Sequence, residues 1–341
     1  MDPNSLDIED QKIDYKNYKN IKDRFICPTK EVNPNHFIEP DIVSFMHLFP
    51  KLFKPNEKRF IEIYNCVHCN ACKMDLARYY LKSKLNKAGF ISNDTKIMAN
   101  SFKKYGNPFN RDKFRFKIPN EVSEDSDTLF YLGCLSYAKV PNFTLNAIKY
   151  LLRNNIDFTI LKKEFCCGIP AFEAGDTNTL NELINKNTEI LNSYKKVICL
   201  CPACFDIFSN FYKNLNTEIY HISDYLKPSK IKKSGRLSIQ HLCQLENRNK
   251  PTMHKINNIL KESGYKIQED EKHWCCGGGM GLVHIQKTIE KIARIRIHDF
   301  KGEIITTYCP SCYHVLKLFL RKEYGANSGP KLIDTFSLLL D

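Results

Sequence analysis

The chain has 341 residues, of which 43% are hydrophobic and 26% are charged, so it can form two or three globular domains with cores of their own. No stretch approaches the roughly 18 consecutive apolar residues of a membrane span. Residues 1–10 are polar and acidic and lack the apolar part of a signal peptide. We therefore expect a cytoplasmic protein that meets a membrane only through a partner. In that compartment, fifteen cysteines indicate metal ligands or redox groups rather than disulfides.

The formal net charge is +13, from lysines and arginines scattered along the chain with one short cluster at 227–236. No nucleic-acid-binding motif accompanies them, so we expect no nucleic-acid partner and interpret the excess as a solvated basic surface. An acidic protein partner or an anionic membrane surface is also compatible with this charge.

The N-terminal unit, 1–125, contains Cys27-Pro28 and later the run Cys66-Val67-His68-Cys69-Asn70-Ala71-Cys72. Two-cluster bacterial ferredoxins carry two C-x2-C-x2-C-x3-C-P runs, and the fourth cysteine of each run binds the other run's cluster. Here Leu76 replaces the fourth cysteine of the second run, and the first run survives only as Cys27-Pro28. These two losses leave one complete ligand set. We predict one cubane 4Fe–4S cluster on Cys27, Cys66, Cys69 and Cys72.

A zinc ion on Cys66, Cys69 and Cys72, with His68 or another fourth ligand, is the alternative for this run. In the iron–sulfur interpretation His68 tunes or shields the site. The following stretch, 73–87, lacks Gly and Pro and predicts a helix whose apolar face carries Leu76, Tyr80 and Leu81.

A polar linker at 120–127 separates this unit from a pattern of alternating strands and helices. In the first repeat, 126–230, we predict strands at 128–133, 157–161 and 197–200 and helices at 141–154 and 177–194. In the second, 231–341, we predict strands at 237–241, 265–268 and 304–307 and helices at 251–263 and around 285–293. Such alternation is typical of parallel α/β sheets, whose functional sites lie beyond the carboxyl ends of the strands.

Five cysteines recur with nearly the same spacing in both repeats. In each, 31 residues separate a single cysteine from a vicinal Cys-Cys pair, and a Cys-Pro-x-Cys run follows the pair. Adjacent Cα atoms lie about 3.8 Å apart, below the roughly 4.4–6.8 Å of a disulfide. Zinc takes four ligands in a closed tetrahedral site, which five thiolates with a vicinal pair fit badly. The pattern favours an iron–sulfur cluster over structural zinc.

The motifs CCGIPAFEAGD and HWCCGGGMG, with their CPAC and CPSC endings, resemble the cysteine-rich CCG-domain family. That family includes the catalytic subunit of heterodisulfide reductase, iron–sulfur subunits of glycolate, lactate and anaerobic glycerol-3-phosphate oxidising enzymes, and subunits of thiol:fumarate-reductase-like complexes. The ferredoxin-like region and the intervening Tyr105-Gly106-Asn107-Pro108-Phe109 resemble the fused D-subunit type of heterodisulfide reductase. The resemblance covers about residues 20–341. This chain departs from it where one of the two usual ferredoxin clusters is missing.

The resemblance implies that each five-cysteine set holds a non-cubane 4Fe–4S cluster and that the paired clusters cleave a disulfide. The two implied sets, whose cysteines would be both ligands and catalytic groups, are Cys134, Cys166, Cys167, Cys201 and Cys204, and Cys243, Cys275, Cys276, Cys309 and Cys312. It also implies a flavoprotein or other electron-transfer subunit as partner and a small disulfide or thiol as substrate.

Two other functions fit the same residues. One is an electron relay that serves an FAD-linked hydroxyacid or polyol dehydrogenase and passes electrons to a quinone or cytochrome. The other is a zinc-stabilised interaction protein. Of the remaining features, we interpret Cys199 as a buried free thiol, Trp274 as packing beside a cluster, and His221 and His241 as structural histidines rather than proton carriers. The glycines at 277–281 lack a phosphate-loop pattern, and we expect them to let backbone approach a cluster and donate N–H groups to sulfur.

Overall fold

The computed structural model describes residues 27–111, 113–248, 250–269, 275–279, 286–325 and 328–340. Trp274, residues 1–26, 280–281 and 285, on which some of the predictions above fall, lie outside these ranges. A helical N-terminal unit is followed by two units that each contain a parallel sheet. This is the α/β class that the alternating pattern predicts.

The N-terminal unit contains α1 (Pro28–Val32), α2 (Pro40–Leu48), α3 (Glu57–Tyr64), α4 (Asp75–Lys87) and α5 (Asn93–Tyr105). Local signals define these helices. The Asn56 side chain caps α3, and the Ser92 side chain caps α5, by accepting backbone N–H groups of the first turn. Gly106, with a φ of 73°, ends α5 in the left-handed conformation that favours glycine. Apolar side chains of α2, α3 and α4 pack together as one core.

The first sheet has the order β1 (Thr128–Tyr131), β2 (Lys196–Cys199), β3 (Glu218–His221), and all its strands are parallel. Its register pairs Leu129 with Val197 and Val197 with Ile219. The helices of this unit are α6 (Cys134–Lys139), α7 (Pro141–Arg153), α8 (Ile169–Ala174), α9 (Thr177–Leu191) and α10 (Pro202–Phe211).

The second sheet has the order β5-β4-β6-β7 and is also parallel. Its strands are β4 (Arg236–Ile239), β5 (Lys266–Ile267), β6 (Ile304–Thr307) and β7 (Lys331–Asp334). Its helices are α11 (Cys243–Glu246), α12 (Met253–Glu262), α13 (Gln286–Asp299), α14 (Pro310–Tyr324) and α15 (Thr335–Leu339). α15 packs on α7 of the first unit, where the Phe336 ring lies edge-on to Phe143 at 5.3 Å between centroids.

The predicted elements are confirmed within a few residues, with one exception. The strand predicted at 157–161 is wrong, because only Thr159 pairs there, in an isolated parallel bridge with Leu129. Beyond this bridge the N–H groups of Leu132 and Gly133 donate to the Glu164 carboxylate instead of to strand carbonyls, which ends the ladder. The elements that were not predicted are strands β3 and β7, helices α1, α2, α3 and α5 of the N-terminal unit, and helices α6, α8, α10, α11, α14 and α15 of the repeats.

The buried face of α4 also differs from the prediction. Leu81 is fully buried, whereas Leu76 and Tyr80 are only partly buried. The face instead includes Arg78 and Lys82, which are among the most completely buried side chains of the described chain. Within the part of the chain that the structure describes, no helix combines the length and apolar character needed to cross a bilayer.

Candidate metal and redox centre

In each repeat the single cysteine and the Cys-Pro-x-Cys run lie at the carboxyl ends of parallel strands. Cys134 begins α6 just after β1, and Cys243 begins α11 just after β4. Cys201 precedes α10 after β2, and Cys309 occupies the same place before α14 after β6. The prolines at the first positions of α10 and α14 suit a helix start, because that position has no intrahelical N–H partner. Each sheet therefore brings its single cysteine and its Cys-Pro-x-Cys run to one edge.

Both five-cysteine sets line a single cleft. The sequence predicts five thiols at the end of each sheet. The structure places the two groups so that they share one space. The cleft also receives Val67 and His68 from the N-terminal unit, and apolar side chains that include Phe109, Leu135, Ile169 and Leu242. The cysteines in its lining are Cys134, Cys166, Cys167, Cys201, Cys204, Cys243, Cys275, Cys276, Cys309 and Cys312.

The sulfur atoms make corresponding contacts in the two repeats. The Cys134 and Cys166 sulfurs lie 3.3 Å apart, and the Cys243 and Cys275 sulfurs, at the same template positions, lie 3.7 Å apart. The Cys276 and Cys312 sulfurs lie 3.2 Å apart. Among the described residues, all cysteines are free thiols, and no group of three or more His, Cys, Asp or Glu side chains is arranged around a single metal ion.

Burial is the main influence on three thiols of the first set. It raises the pKa of Cys166, Cys167 and Cys204, because a thiolate loses its hydration in the interior. Cys276 is the opposite case, since hydrogen bonds from Cys275 and Cys312 lower its pKa to about 6. Thiolate character in so buried a cluster requires compensating positive charge, which iron would supply.

The N-terminal cysteines lie on a tightly folded loop between α3 and α4. His68, Asn70 and Lys73 have positive φ values of 49°, 57° and 58°. These conformations are costly for residues other than glycine and are concentrated at functional sites. The His68 backbone N–H donates to the Cys66 sulfur at 3.4 Å. Cys27, immediately before α1, joins this region: burial raises the pKa of its thiol, and the nearby Cys66 raises it further.

The N-terminal loop lies against the second repeat. Val67, Cys69 and Ala71 form one buried apolar cluster with Cys275 and Ile292. The Asn247 side-chain amide, directly after α11, donates to the Cys69 carbonyl at 2.9 Å. Cys69 therefore neighbours the second set of thiols, and burial together with nearby Cys275 and Cys243 raises its pKa.

Two glycines allow these close approaches. A Cβ atom at Gly279 would lie 2.3 Å from the Val67 carbonyl oxygen, and one at Gly278 would lie 2.8 Å from the Ser311 hydroxyl. The Gly277 N–H donates to the Cys275 sulfur at 3.4 Å, as expected for this loop. These glycines were expected to let backbone approach a cluster. At Gly279, however, the group that lies close is the Val67 backbone of the N-terminal loop.

Buried carboxyl groups lie beside the first set. The Glu164 carboxylate accepts the N–H groups of Leu132 at 2.8 Å and Gly133 at 2.7 Å. Burial nevertheless raises its pKa to about 8. Glu173 of α8 lines the cleft itself.

Buried basic groups lie beside the N-terminal set. Arg78 donates to the backbone carbonyls of Ile63 and Ile38, and its Nε has no hydrogen-bond partner in the structure. The Lys82 ammonium lies 2.7 Å from Nε2 of His68. A four-thiol set beside an orphaned guanidinium N–H fits an anionic iron–sulfur cluster, which would bring both soft-metal ligation and negative charge.

Cys199, His221 and His241, which the sequence also singled out, are buried in the protein. Cys199 is fully buried on β2 and does not line the cleft. His221 is fully buried at the end of β3, where its Nδ1 accepts the Ser223 N–H at 3.2 Å. His241 is buried, and its carbonyl accepts the Gln240 side-chain amide.

Arg78, Lys82, Glu164 and Arg248 are not among the residues predicted from the sequence. A signal for the first two was present, because Asp75, Arg78 and Lys82 are spaced by three and four residues and share one face of α4. That face begins three residues after Cys72. Glu164 and Arg248 carry no comparable local signal.

Residues 128–208 and 238–317 each match the family model of the cysteine-rich domain, CCG. An uncharacterized iron–sulfur protein of Methanocaldococcus jannaschii is 25% identical over 92% of this chain and 70% of its own length. One subunit of the fumarate reductase (CoM/CoB) of Methanothermobacter marburgensis is 23% identical over 57% of this chain and 42% of its own length. A Bacillus subtilis protein named "probable iron–sulfur-binding oxidoreductase FadF" is 24% identical over 75% of this chain and 43% of its own length.

The chain therefore carries two cysteine-rich CCG domains, and the resemblance expected from its motifs is confirmed. Its domains and relatives identify it as an iron–sulfur protein of the oxidoreductase type, with a role in electron transfer.

Proposed function

We propose that this chain, with its two CCG domains, is the iron–sulfur redox subunit of a heterodisulfide-reductase-like complex. A flavoprotein or another electron-transfer subunit exchanges electrons with a cubane 4Fe–4S cluster on Cys27, Cys66, Cys69 and Cys72. Each five-cysteine set would hold a non-cubane 4Fe–4S cluster, which would supply electrons for reduction of a small disulfide or accept them from the corresponding thiols. Membrane contact occurs only through a partner, and the chain itself is cytoplasmic.

The observation that carries this proposal is the shared cleft. Both five-cysteine sets line one space, so the two sulfur atoms of one substrate can each meet a different set. A relay alone needs its centres in sequence and has no use for an open space between them. One relative is a subunit of a fumarate reductase whose name includes CoM and CoB, which fits a redox role within a complex.

Reduction of one disulfide consumes two electrons and two protons, breaks the S–S bond and releases two thiols. Oxidation of two thiols to a disulfide has the reverse balance. A bound iron–sulfur cluster supplies one-electron chemistry and an iron centre with affinity for sulfur. The residues of the chain hold the clusters and shape the cleft. The apolar side chains of Phe109, Leu135 and Leu242 limit the access of water to it.

The position of the N-terminal loop supports an order of electron transfer. Cys69 packs with Cys275 in one apolar cluster, and Cys243 packs against its edge. No cysteine of the first set belongs to that described cluster. Electrons from the N-terminal site therefore reach the second repeat before the first.

The rival function is an electron relay for an FAD-linked hydroxyacid or glycerol-3-phosphate dehydrogenase that delivers electrons to a quinone or cytochrome. Its support is the similarity to the oxidoreductase FadF over 75% of this chain. The two functions differ in whether substrate sulfur reaches the cleft.

The deciding experiment measures iron, sulfide and zinc in anaerobically purified protein and then records EPR spectra of the oxidised protein with candidate thiols. About twelve irons, from three four-iron clusters, and a new thiol-dependent signal are expected. A Leu135→Ala variant provides a useful comparison, because widening the cleft changes thiol access without removing a ligand.

The same iron content without any response to thiols would favour the relay. Four irons would show that the five-cysteine sets hold no clusters. Zinc in place of iron, without sulfide, would exclude both redox functions and leave the zinc-stabilised interaction protein.

A further inference from the structure

Helix α4 buries two cations beside the N-terminal cysteines. Arg78 is 2% exposed and Lys82 is fully buried. They lie four residues apart, on the face of α4 that meets the cysteine loop. Long basic side chains normally keep their charged ends in water, so two buried ones on a single helix face require a physical reason.

The hydrogen bonds of both cations leave their charge uncompensated. The Arg78 guanidinium donates to the carbonyls of Ile63 at 3.2 Å and Ile38 at 3.4 Å, and its Nε has no hydrogen-bond partner. The Lys82 ammonium contacts Nε2 of His68 and donates to the Glu173 carbonyl at 2.6 Å. All of these partners are neutral groups.

Among the described residues, neither cation forms an ion pair with a carboxylate. Asp75 is the acidic residue of the same helix face, and it pairs with Arg248 at 2.5 Å. An isolated buried charge costs several kcal/mol, so buried charges in proteins are normally paired. The missing negative charge must come from another group nearby.

The groups that face the two cations are the N-terminal thiols. Among the negative groups near Arg78, the thiols of Cys66, Cys72 and Cys27 act more strongly than the Asp75 carboxylate. For Lys82 the Cys66 thiol acts more strongly than the carboxylates of Glu173 and Asp75. These thiols belong to the ligand set assigned above to the N-terminal cluster. Thiolates bound to iron carry the negative charge that the two cations lack.

We propose that Arg78 and Lys82 are the buried counter-charges of the iron–sulfur cluster on Cys27, Cys66, Cys69 and Cys72, and that they raise its reduction potential. The inference rests on the proposed function, which places a cluster there. Reduction adds one negative charge to the cluster, and a fixed cation in a low-dielectric interior stabilises that charge more than it stabilises the oxidised state.

The effect is specific to the N-terminal site. The described lining of the shared cleft contains no Lys or Arg side chain. The electrostatic surroundings therefore favour an extra electron at the N-terminal cluster. They do not supply a similar advantage at the CCG centres.

The test is an anaerobic redox titration of the N-terminal cluster, followed by EPR, in Arg78→Met and Lys82→Met. In each variant the ratio of reduced to oxidised cluster, measured at the wild-type midpoint potential, is expected to fall at least tenfold. For one electron this corresponds to a midpoint about 59 mV more negative. The EPR signals of the CCG centres serve as an internal reference and are expected to keep their midpoints.

Two kinds of control isolate the buried charge. Arg78→Lys and Lys82→Arg keep the charge. In these variants the ratio of reduced to oxidised cluster at the wild-type midpoint potential should change by less than threefold. Lys87→Met removes the same formal charge from the exposed end of the same helix, where solvent screens it. Lys87→Met should leave the midpoint unchanged.

Equal midpoints in wild type, Arg78→Met and Lys82→Met would overturn the proposal. If both methionine variants lose the N-terminal cluster, the charge-retaining variants, Arg78→Lys and Lys82→Arg, show whether charge or side-chain packing is required. Retention of the cluster in those variants supports a counter-charge, and its loss there shows that side-chain packing is the requirement. A wild-type protein without an N-terminal cluster would instead refute the proposed function.

Discussion

His221 shows how one buried residue makes the stability of this fold depend on pH. Its ring is fully buried at the end of β3, and Nδ1 accepts hydrogen bonds from the Ser223 backbone and side chain. Burial, together with the positive charges of Lys250 and Lys255, lowers the pKa of His221 to about 3. The folded state therefore keeps this imidazole neutral, while the unfolded state binds a proton near pH 6.5.

Because the unfolded state binds the extra proton, stability falls as the pH falls below about 6.5. From this group alone the loss is about 2 kcal/mol at pH 5. In His221→Asn, which keeps a side-chain acceptor for the Ser223 N–H, stability should decline less between pH 6.5 and 5. Anaerobic thermal unfolding at several pH values measures this difference. Parallel declines for the two proteins would contradict the prediction.

At the residue scale, the sequence indicated chemistry best where the signal is local. The cysteine spacings are properties of a few neighbouring residues. The burial of Arg78 and Lys82 depends on α4 facing the cysteine loop, and the apolar face predicted for this helix did not include them. A charge is buried stably only when a compensating group lies nearby, and that group comes from other parts of the chain.

At the scale of a structural element, the loop at 275–279 also depends on residues from a distant part of the chain. It carries two cysteines of the second set, and its last residue approaches the N-terminal loop so closely that Gly279 has no room for a Cβ. The Val67 carbonyl that occupies this space belongs to the loop of Cys66 and Cys69. One backbone contact therefore connects two cysteine sets.

Gly279→Ala should separate the two loops and destabilise the fold by about 1–3 kcal/mol, the usual cost of overpacking. The expected observation is a lower melting temperature and faster amide hydrogen exchange in residues 66–72. In Gly89→Ala, nothing lies within 4 Å of the new Cβ, so only the backbone strain of its φ of 89° is added. Unchanged exchange of 66–72 in Gly279→Ala would show that the loop adapts without opening.

The absence of the predicted strand at 157–161 has a physical explanation. The residues suit an extended conformation, but a strand needs a continuous ladder of partners. The Glu164 carboxylate takes the N–H groups of Leu132 and Gly133. It thereby turns the chain toward Cys166 and Cys167, so the residue that ends the pairing also positions the vicinal cysteines.

For the whole molecule, Arg248 joins all three units. It pairs with Asp75 of the N-terminal unit at 2.5 Å and with Asp206 of the first repeat at 2.8 Å, and it belongs to the second repeat itself. Both carboxylates are nearly inaccessible to solvent. Each partner lies within five residues of a cysteine of its own unit, so this cation fixes the three cysteine sets relative to one another.

Arg248→Met should lower the free energy of unfolding by about 3–5 kcal/mol, because it leaves two buried carboxylates unpaired. Adding Asp206→Asn to that variant should recover part of the loss, which a double-mutant cycle measures. Arg236→Met removes an exposed pair with Glu303 and should cost less than about 1 kcal/mol. Equal effects of Arg248→Met and Arg236→Met would contradict a central role for Arg248.

Sequence alone determined the number and spacing of the cysteines, the two repeats and the α/β class. These features depend on local periodicity and on ligands that lie close together along the chain. The ligand roles of the individual cysteines stay predictions. Only the tertiary structure decided that the two five-cysteine sets share a cleft, that Cys69 lies against the second set, and that Arg78, Lys82 and Arg248 are buried. Each of these depends on contacts between residues far apart in the chain, because charged groups of one unit are paired by another unit and apolar surface of one unit is covered by another.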